Sequence, residues 1–522
     1  MRHKPVLALG AGPVGGLVAA VAAVLICALG PQNVSADTLE VGGTSGYPTI
    51  GAAVVAASPG DTILIHGGTY REEVAIDKAV TLDLFGDGDV WVDGQCLRDH
   101  AFWIWGSGAT LLNIKVKNTV EAGVLLSADR PDQSRPTNIT IDGMTIQDFD
   151  CRWTSEEPGS WGQYRAGIAS WYGGPGMRVT NNLIQFRASG SPHGAADGIW
   201  FKSRDLTPSG GGHYIAGNTI IGGWDGIGGE EEGSARGTFD RDTIVENNTI
   251  RDCWDDGIQS EGGDQNVHLR NNDISGCGTG IAFAAPVTGP LYIEQNHIHD
   301  LSMGLYENLF CFKVGNDGGG TAYLTENVCD VDSSAEAAQG AGADGIHQTD
   351  EGLSPIVSRR NIFQVSGYVF ILVEFPLPAG TSLDEDCVST TDPERFIKWS
   401  GGVYYASLAE LQAVGEEPKG RQTTDCSFLG TPTPLPSLTP PPRSTPGTAA
   451  ETATVRPTPG LSEQATPGQS STSPEQTASS DDHLDALTSP LAIAVGLIAA
   501  LILTGLGFAG GVRWSGRGRR AP

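Results

Sequence analysis

The sequence is short of charge, and shorter still of positive charge. Only 18% of its 522 residues are Asp, Glu, Lys or Arg, and 32 basic residues stand against 61 acidic ones, a formal net charge of −29. No basic stripe offsets that balance, which argues against nucleic acid as a partner. Long helical periodicity is missing too. With Gly at 72 positions, the chain reads as all-β. No Cys-x-x-Cys or His/Cys spacing suggests a zinc module. No LPxTG motif precedes the C-terminal apolar segment, so sortase anchoring is not indicated.

What is present is a repeat. Asp242–Phe283 is one unit written twice: Asn247-Asn248 answers to Asn271-Asn272, Ile250 to Ile274, Cys253 to Cys277, and Gly257-Ile258 to Gly280-Ile281. The period is about 24 residues with three short apolar runs. A unit of that size cannot bury its apolar face alone and must stack. Brief β-branched runs separated by Asn, Asp and Gly predict a single-stranded, right-handed parallel β-helix of three short strands per coil. About ten coils are expected. The strand that follows Gly recurs at Val124, Ile168, Ile199, Ile227, Ile258, Ile281, Leu305, Ile346 and Tyr368. Asparagines at 182, 218, 248, 272, 296, 327 and 361 are expected to form an internal amide ladder.

The two ends predict an exported, tethered protein. Arg2, His3 and Lys4 precede an apolar run and Val34-Ser35-Ala36, the pattern of a signal peptide over 1–36. Cys27 leaves with it, and eight cysteines remain. Cys253 and Cys277 take the same place in successive coils, so a disulfide is expected there. Cys387 and Cys426 are candidates to staple a C-terminal cap over 375–429. The N-terminal cap and first coils take 37–110, and the repeats 111–374. A Pro/Thr/Ser-rich stretch over 430–483 reads as a disordered stalk. Residues 491–512 carry no charge and are long enough to cross a bilayer. The basic tail at 513–522 would lie inside, leaving the body outside. A monomer at the cell surface, held to the membrane by this helix, is expected.

Chemistry is sought beside the Gly-Ile strand. The residue two before each strand isoleucine runs Ala122, Ala166, Asp197, Asp225, Asp256, Thr279, Met303, Asp344, Ser366. Three consecutive aspartates, with Asp255 beside the third, would stack about 5 Å apart. Like charges that close must share a proton or recruit a cation. The candidate catalytic residues are therefore Asp197, Asp225, Asp255, Asp256 and Lys202. Trp200, Trp224 and Trp254, with Arg204 and Glu261, are the candidate substrate contacts, since aromatic faces beside carboxylates suit a sugar. Glu230 and Asp264 are candidate calcium ligands. The other reading of Asp-Gly-Ile is local: Asp caps the turn and Gly supplies a positive φ. His193 and His347 stand alone and read as ordinary surface or satisfied histidines.

The run from Ile50 to Ile76, with Pro59-Gly60-Asp61 and Gly68-Thr69-Tyr70-Arg71-Glu72, resembles the opening of pectin-lyase-like β-helix proteins. The resemblance implies their fold, with a helical cap at the start. Asp225 followed by Asp255-Asp256 one coil later resembles the paired aspartate motifs of polygalacturonase-type glycoside hydrolases, in which one aspartate is the acid and the others activate water. Their GHG motif does not follow: this chain has Cys277-Gly278-Thr279-Gly280. Polysaccharide lyases of similar fold use a Lys or Arg base and Ca²⁺, which would give Lys202 or Arg204 the base role. Asp225, Glu230, Asp256 and Glu261 would then be calcium ligands. The resemblance implies a carbohydrate-active surface protein, hydrolase or lyase, acting on a polysaccharide. A non-catalytic glycan-binding or adhesin-like protein is the alternative.

Overall fold

Three strands per coil build three walls of one barrel. In the doubled unit they are Ile244–Glu246, Thr249–Arg251 and Asp256–Gln259, followed one coil later by Val267–Arg270, Asp273–Ser275 and Thr279–Ala284. Like strands pair in parallel: Ile250 with Ile274, Ile258 with Ile281. Each sheet has 13 strands, more than the expected ten coils. The extra rungs come from both ends, where the Gly-Ile signature is absent. The computed structural model describes residues 36–440 apart from 128–134, 153–163, 189–195, 205–207, 233–237, 263, 285–287, 303–308, 316–317, 332–341, 350 and 393. The signal segment, His193, most of the stalk and the 491–512 segment lie outside these residues. Among the described residues, no helix is long and apolar enough to cross a membrane.

The core is a set of stacked aliphatic columns. Ile199, Ile227, Ile258 and Ile281 are fully buried one above another, with Ile220, Ile250, Ile274 and Ile298 opposite. Two rungs depart from the expected register. The strand after Thr279–Ala284 is Leu309–Gly315, so Phe312, not Leu305, stacks on Ile281. Six of its seven residues are buried, which supplies the apolar rung. Likewise Phe370, not Tyr368, stacks on Ile346. The places expected for Met303 and Ser366 are therefore held by Phe310 and Tyr368.

The glycine of each Asp-Gly-Ile is needed for space, not for a positive φ. A Cβ on Gly226 would overlap Ile250 Cγ2 and the carbonyl oxygen of Gly257. The positive φ falls elsewhere, on the residue before each ladder asparagine: Asn247 at 55°, Asn271 at 52°, Gln295 at 53°. The ladder itself is continuous. From Asn218 to Asn361, each side-chain oxygen accepts the backbone N–H and the amide N–H of the asparagine one rung earlier, at 2.8–3.1 Å. Asp386 closes it by accepting both donors of Asn361.

Both ends are covered. The helix Ile50–Ala56 buries Ile50, Ala53 and Val54, and Glu72 of the Gly-Thr-Tyr-Arg-Glu run accepts the backbone N–H groups of Ile50 and Gly51 at 2.8 and 2.9 Å. At the other end the strand Val403–Tyr405 and helix Leu408–Gln412 bury Leu408 and Leu411. Four disulfides join Cys96–Cys151, Cys253–Cys277, Cys311–Cys329 and Cys387–Cys426. Both expected pairs are among them. Residues 430–440, the start of the Pro/Thr/Ser-rich stretch, run back along the barrel. Thr433 N–H donates to Glu326 at 2.8 Å and Pro436 accepts from Arg270 at 2.9 Å. Extended backbone of this kind has no internal partners, so side chains of the coils supply them.

Candidate functional site

The aspartate column lies at the corner between the second and third sheets. There the chain bends from Thr249–Arg251 into Asp256–Gln259. The buried glycine at 226 or 257 lets the backbone turn close against the core, and the buried aspartate before it stacks on its counterpart in the next coil. Asp197 Oδ1 accepts the backbone N–H of Asp225 at 3.1 Å, and Asp225 Oδ1 that of Asp256 at 2.9 Å. Asp344, three rungs on, treats Tyr368 in the same way at 2.6 Å. One oxygen of each aspartate therefore holds the next rung, in keeping with the local turn role.

Three carboxylates also converge. Asp225, Asp255 and Asp256 each present a carboxylate oxygen within 4.8 Å of the others. All three are buried, with Asp256 at 0% exposure. Burial first, then the charges of Asp256, Asp197 and Asp255, push Asp225 well above the usual carboxylate range. Burial likewise raises Asp197, against the N–H of Asp225 and with the charges of Asp255 and Asp150. Asp255 is raised to about 7 by burial and by the charge of Asp256.

A cation absent from the sequence-based candidates sits on this cluster. Lys313 Nζ lies 2.8 Å from Asp256 and 3.6 Å from Asp255. Burial opposes its charge, but Asp256, Asp255 and Asp225 together hold its pKa above the ordinary lysine value. Lys313 follows Phe312 directly, so its place depends on the corrected register. Aligning Phe312 under Ile281 puts a lysine on the outer face, two rungs from Asp256.

The other expected residues spread along the face. Trp224 and Trp254 immediately precede Asp225 and Asp255, and their rings lie 5.5 Å apart at 51°. Trp200 packs with Trp103, Tyr164 and Trp171 over a small apolar patch of Ala122, Leu125, Ala166 and Ala169. Lys202 is buried with its ammonium over the Trp171 ring at 5.8 Å. Glu261 accepts from Gln259 at 3.0 Å. Asp264 is fully buried in a turn, accepting from Ser260 at 3.0 Å, and burial raises it to about 8. Arg204 and Glu230 lie on strands whose backbones pair with Glu232 and Lys202, but their side chains fall outside the described residues. Calcium fits the three-aspartate cluster poorly, because the Lys313 ammonium already stands where a cation would sit. Oxygen-rich coordination by six to eight donors is not assembled there among the described residues.

The same corner continues upstream. His100 stands two before Phe102, in the aspartate column, with Nε2 3.5 Å from Glu121. Burial raises Glu121 to about 7, helped by the charge of Asp99, and lowers His100 to about 4. Asp150, raised to about 6 by burial, faces Arg165 at 3.7 Å.

A family model described as a right-handed β-helix region matches residues 100–373. The chain belongs to that family. No curated protein sequence matches this β-helix. Among solved structures it is similar to an alginate lyase from Paenibacillus sp. str. FPU-7, at 15% identity over 56% of this chain and 95% of that one, with a TM-score of 0.41. It is similar as well to a mannuronic acid specific polysaccharide family 6 lyase from human gut microbiota, at 11% identity over 72% and 94%, TM-score 0.40. Pectate lyase Pel9A gives 14% identity over 80% and 91%, TM-score 0.35.

Proposed function

We propose that this β-helix hydrolyses a polysaccharide, with Asp255 as proton donor and Asp256 as the partner carboxylate. One observation carries the reading: three buried carboxylates converge within 4.8 Å around a single ammonium, which lies 2.8 Å from Asp256 and 3.6 Å from Asp255. Asp255, with a pKa of about 7, keeps a proton available near neutral pH. A glycosidic oxygen needs that proton as it leaves. Asp256, ion-paired to Lys313, supplies the charge opposite. The short separation is nearer the ~5 Å of retaining pairs than the ~6.5–9.5 Å of inverting ones. Trp224 and Trp254 offer ring faces to the sugar. Elimination is the weaker choice at this cluster, because Lys313 is held charged and does not take up a proton as a base must.

A second reading, glycan binding without turnover, draws on the burial of Asp225 and Asp256 and on the backbone bonds of Asp197 and Asp225. One experiment separates the two. Neutral and uronic polysaccharides are incubated with the native chain and with Asp255→Asn and Asp256→Asn, and reducing ends are counted. Loss of release in both variants, each shown folded at the assay temperature by circular dichroism, supports hydrolysis. Equal release by native chain and variants sinks it, and retention on a glycan array without new ends favours binding alone.

We propose also that the body is exported and tethered outside a membrane. The signal-like 1–36 segment, the uncharged 491–512 run and four disulfides support this, since such bridges persist in oxidising compartments. Protease treatment of intact cells tests it: a protected body overturns the placement.

A further inference from the structure

The outer face of the second sheet carries a different set of donors. Strand His297–His299 buries Ile298 and turns both imidazoles outward, as residues two apart on a strand must. Asp273 pairs with His297 from the preceding rung. His297 Nδ1 lies 3.3 Å from Asp273 Oδ2, and His299 Nε2 lies 3.4 Å from Asp273 Oδ1. One donor atom from each residue falls within 4.8 Å of the other two. A tetrahedral ion with bonds of about 2.0–2.1 Å separates its ligand atoms by roughly 3.4 Å. The two histidine–carboxylate distances match that figure, one on each oxygen of Asp273.

The orientation of His299 points the same way. Its Nδ1 lies 2.7 Å from Asp300 Oδ2, which leaves Nε2 as the nitrogen turned to Asp273. The two imidazoles are stacked with centroids 4.4 Å apart, so both reach the same carboxylate. A carboxylate on the far nitrogen is also the usual support of a metal-bound histidine. Asp330 occupies the facing position to His299 on the next rung.

We propose that Asp273, His297 and His299 form a surface site for a borderline divalent transition ion of the zinc class, oriented by Asp300 and completed by water. Nitrogen donors with one carboxylate favour such an ion over calcium or magnesium. The ligands come from paired strands of adjoining rungs, so binding would brace the outer wall of the barrel. This site is independent of the aspartate column and of the reading given to it.

The test is titration of the chelator-treated full chain with ZnCl₂, followed by calorimetry, and with CoCl₂, followed by its visible spectrum. One equivalent of zinc and tetrahedral cobalt bands are expected. His297→Gln with His299→Gln should abolish both, and Asp300→Asn should weaken zinc by roughly 10–100-fold. His297 and His299 are partly exposed, so these variants should melt as the native chain does. No zinc heat in the native chain, or unchanged stoichiometry in the double variant, overturns the proposal.

Discussion

Lys313 and Asp256 are 57 residues apart in sequence and 2.8 Å apart in space. Two complete turns of the barrel separate them, and only the stacking of rungs brings the ammonium over the buried carboxylates. Lys313→Ala should therefore destabilise the chain by about 3 kcal/mol, because it leaves buried charges without a partner. Urea unfolding measures this. The loss should shrink towards about pH 5, where the raised aspartates carry protons, and a pH-independent loss would assign it to packing instead.

A pH optimum on the acid side follows from the raised carboxyls. Asp150, Asp255, Glu121 and Asp264 are raised to about 6, 7, 7 and 8, each chiefly by burial. Folded values above the unfolded ones mean that the native state binds the extra protons. Their contribution to stability is full below about pH 4 and is lost as pH rises through 6 to 8. Burial pushes Glu326 and Asp384 the same way, but their hydrogen-bond donors outweigh it and leave both lowered. These two act oppositely, losing stability as pH falls. The Tm should therefore peak in mild acid and decline from about pH 5 to pH 8. A flat or rising profile over that range contradicts the burial of the raised groups.

The repeat is legible in the sequence because its signals are local. Asn247-Asn248 and Gly257-Ile258 recur at a fixed spacing, and each encodes one contact with the next coil. Lys313 is not legible, since its rung is announced by Phe312, an apolar residue without the Gly-Ile mark. Leu305 carries the mark and is not the rung. The role of Gly226 escapes the sequence for a related reason: a missing side chain is plain, but not whether torsion or crowding requires it. The tie between Asp225 and the N–H of Asp256 is open to either reading in the sequence. In the fold it is both a backbone anchor and part of a carboxylate cluster.

The asparagine ladder should be costly to interrupt. Asn272 donates to Val245 O at 3.0 Å and to Asn296 Oδ1 at 2.9 Å, and its oxygen accepts two donors from Asn248. Asn272→Ala orphans the backbone N–H and one amide N–H of Asn248 and leaves two buried acceptors short. About 3 kcal/mol is expected from such a break. Hydrogen exchange should locate the effect at the corner beside Asn248 and Asn296. A loss below about 1 kcal/mol would mean that water replaces the amide.

The end of the ladder supplies a change in the other direction. Asp386 takes the place of an asparagine and can only accept while ionised, yet it is fully buried against Glu417. Burial, then the charge of Asp386, pushes Glu417 up to about 11, so Glu417 holds the proton that the pair shares. That raised value makes Glu417 a source of stability below about pH 4 that is lost progressively as pH rises. Glu417→Gln puts an N–H donor in the same place with no proton to lose. The variant should match the native chain near pH 4 and exceed it by a few kcal/mol at pH 8, since every tenfold difference in proton affinity between folded and unfolded chain is worth about 1.4 kcal/mol. Parallel denaturation curves at the two pH values decide it. If the variant is destabilised equally at both, Glu417 is held by shape and not by a shared proton.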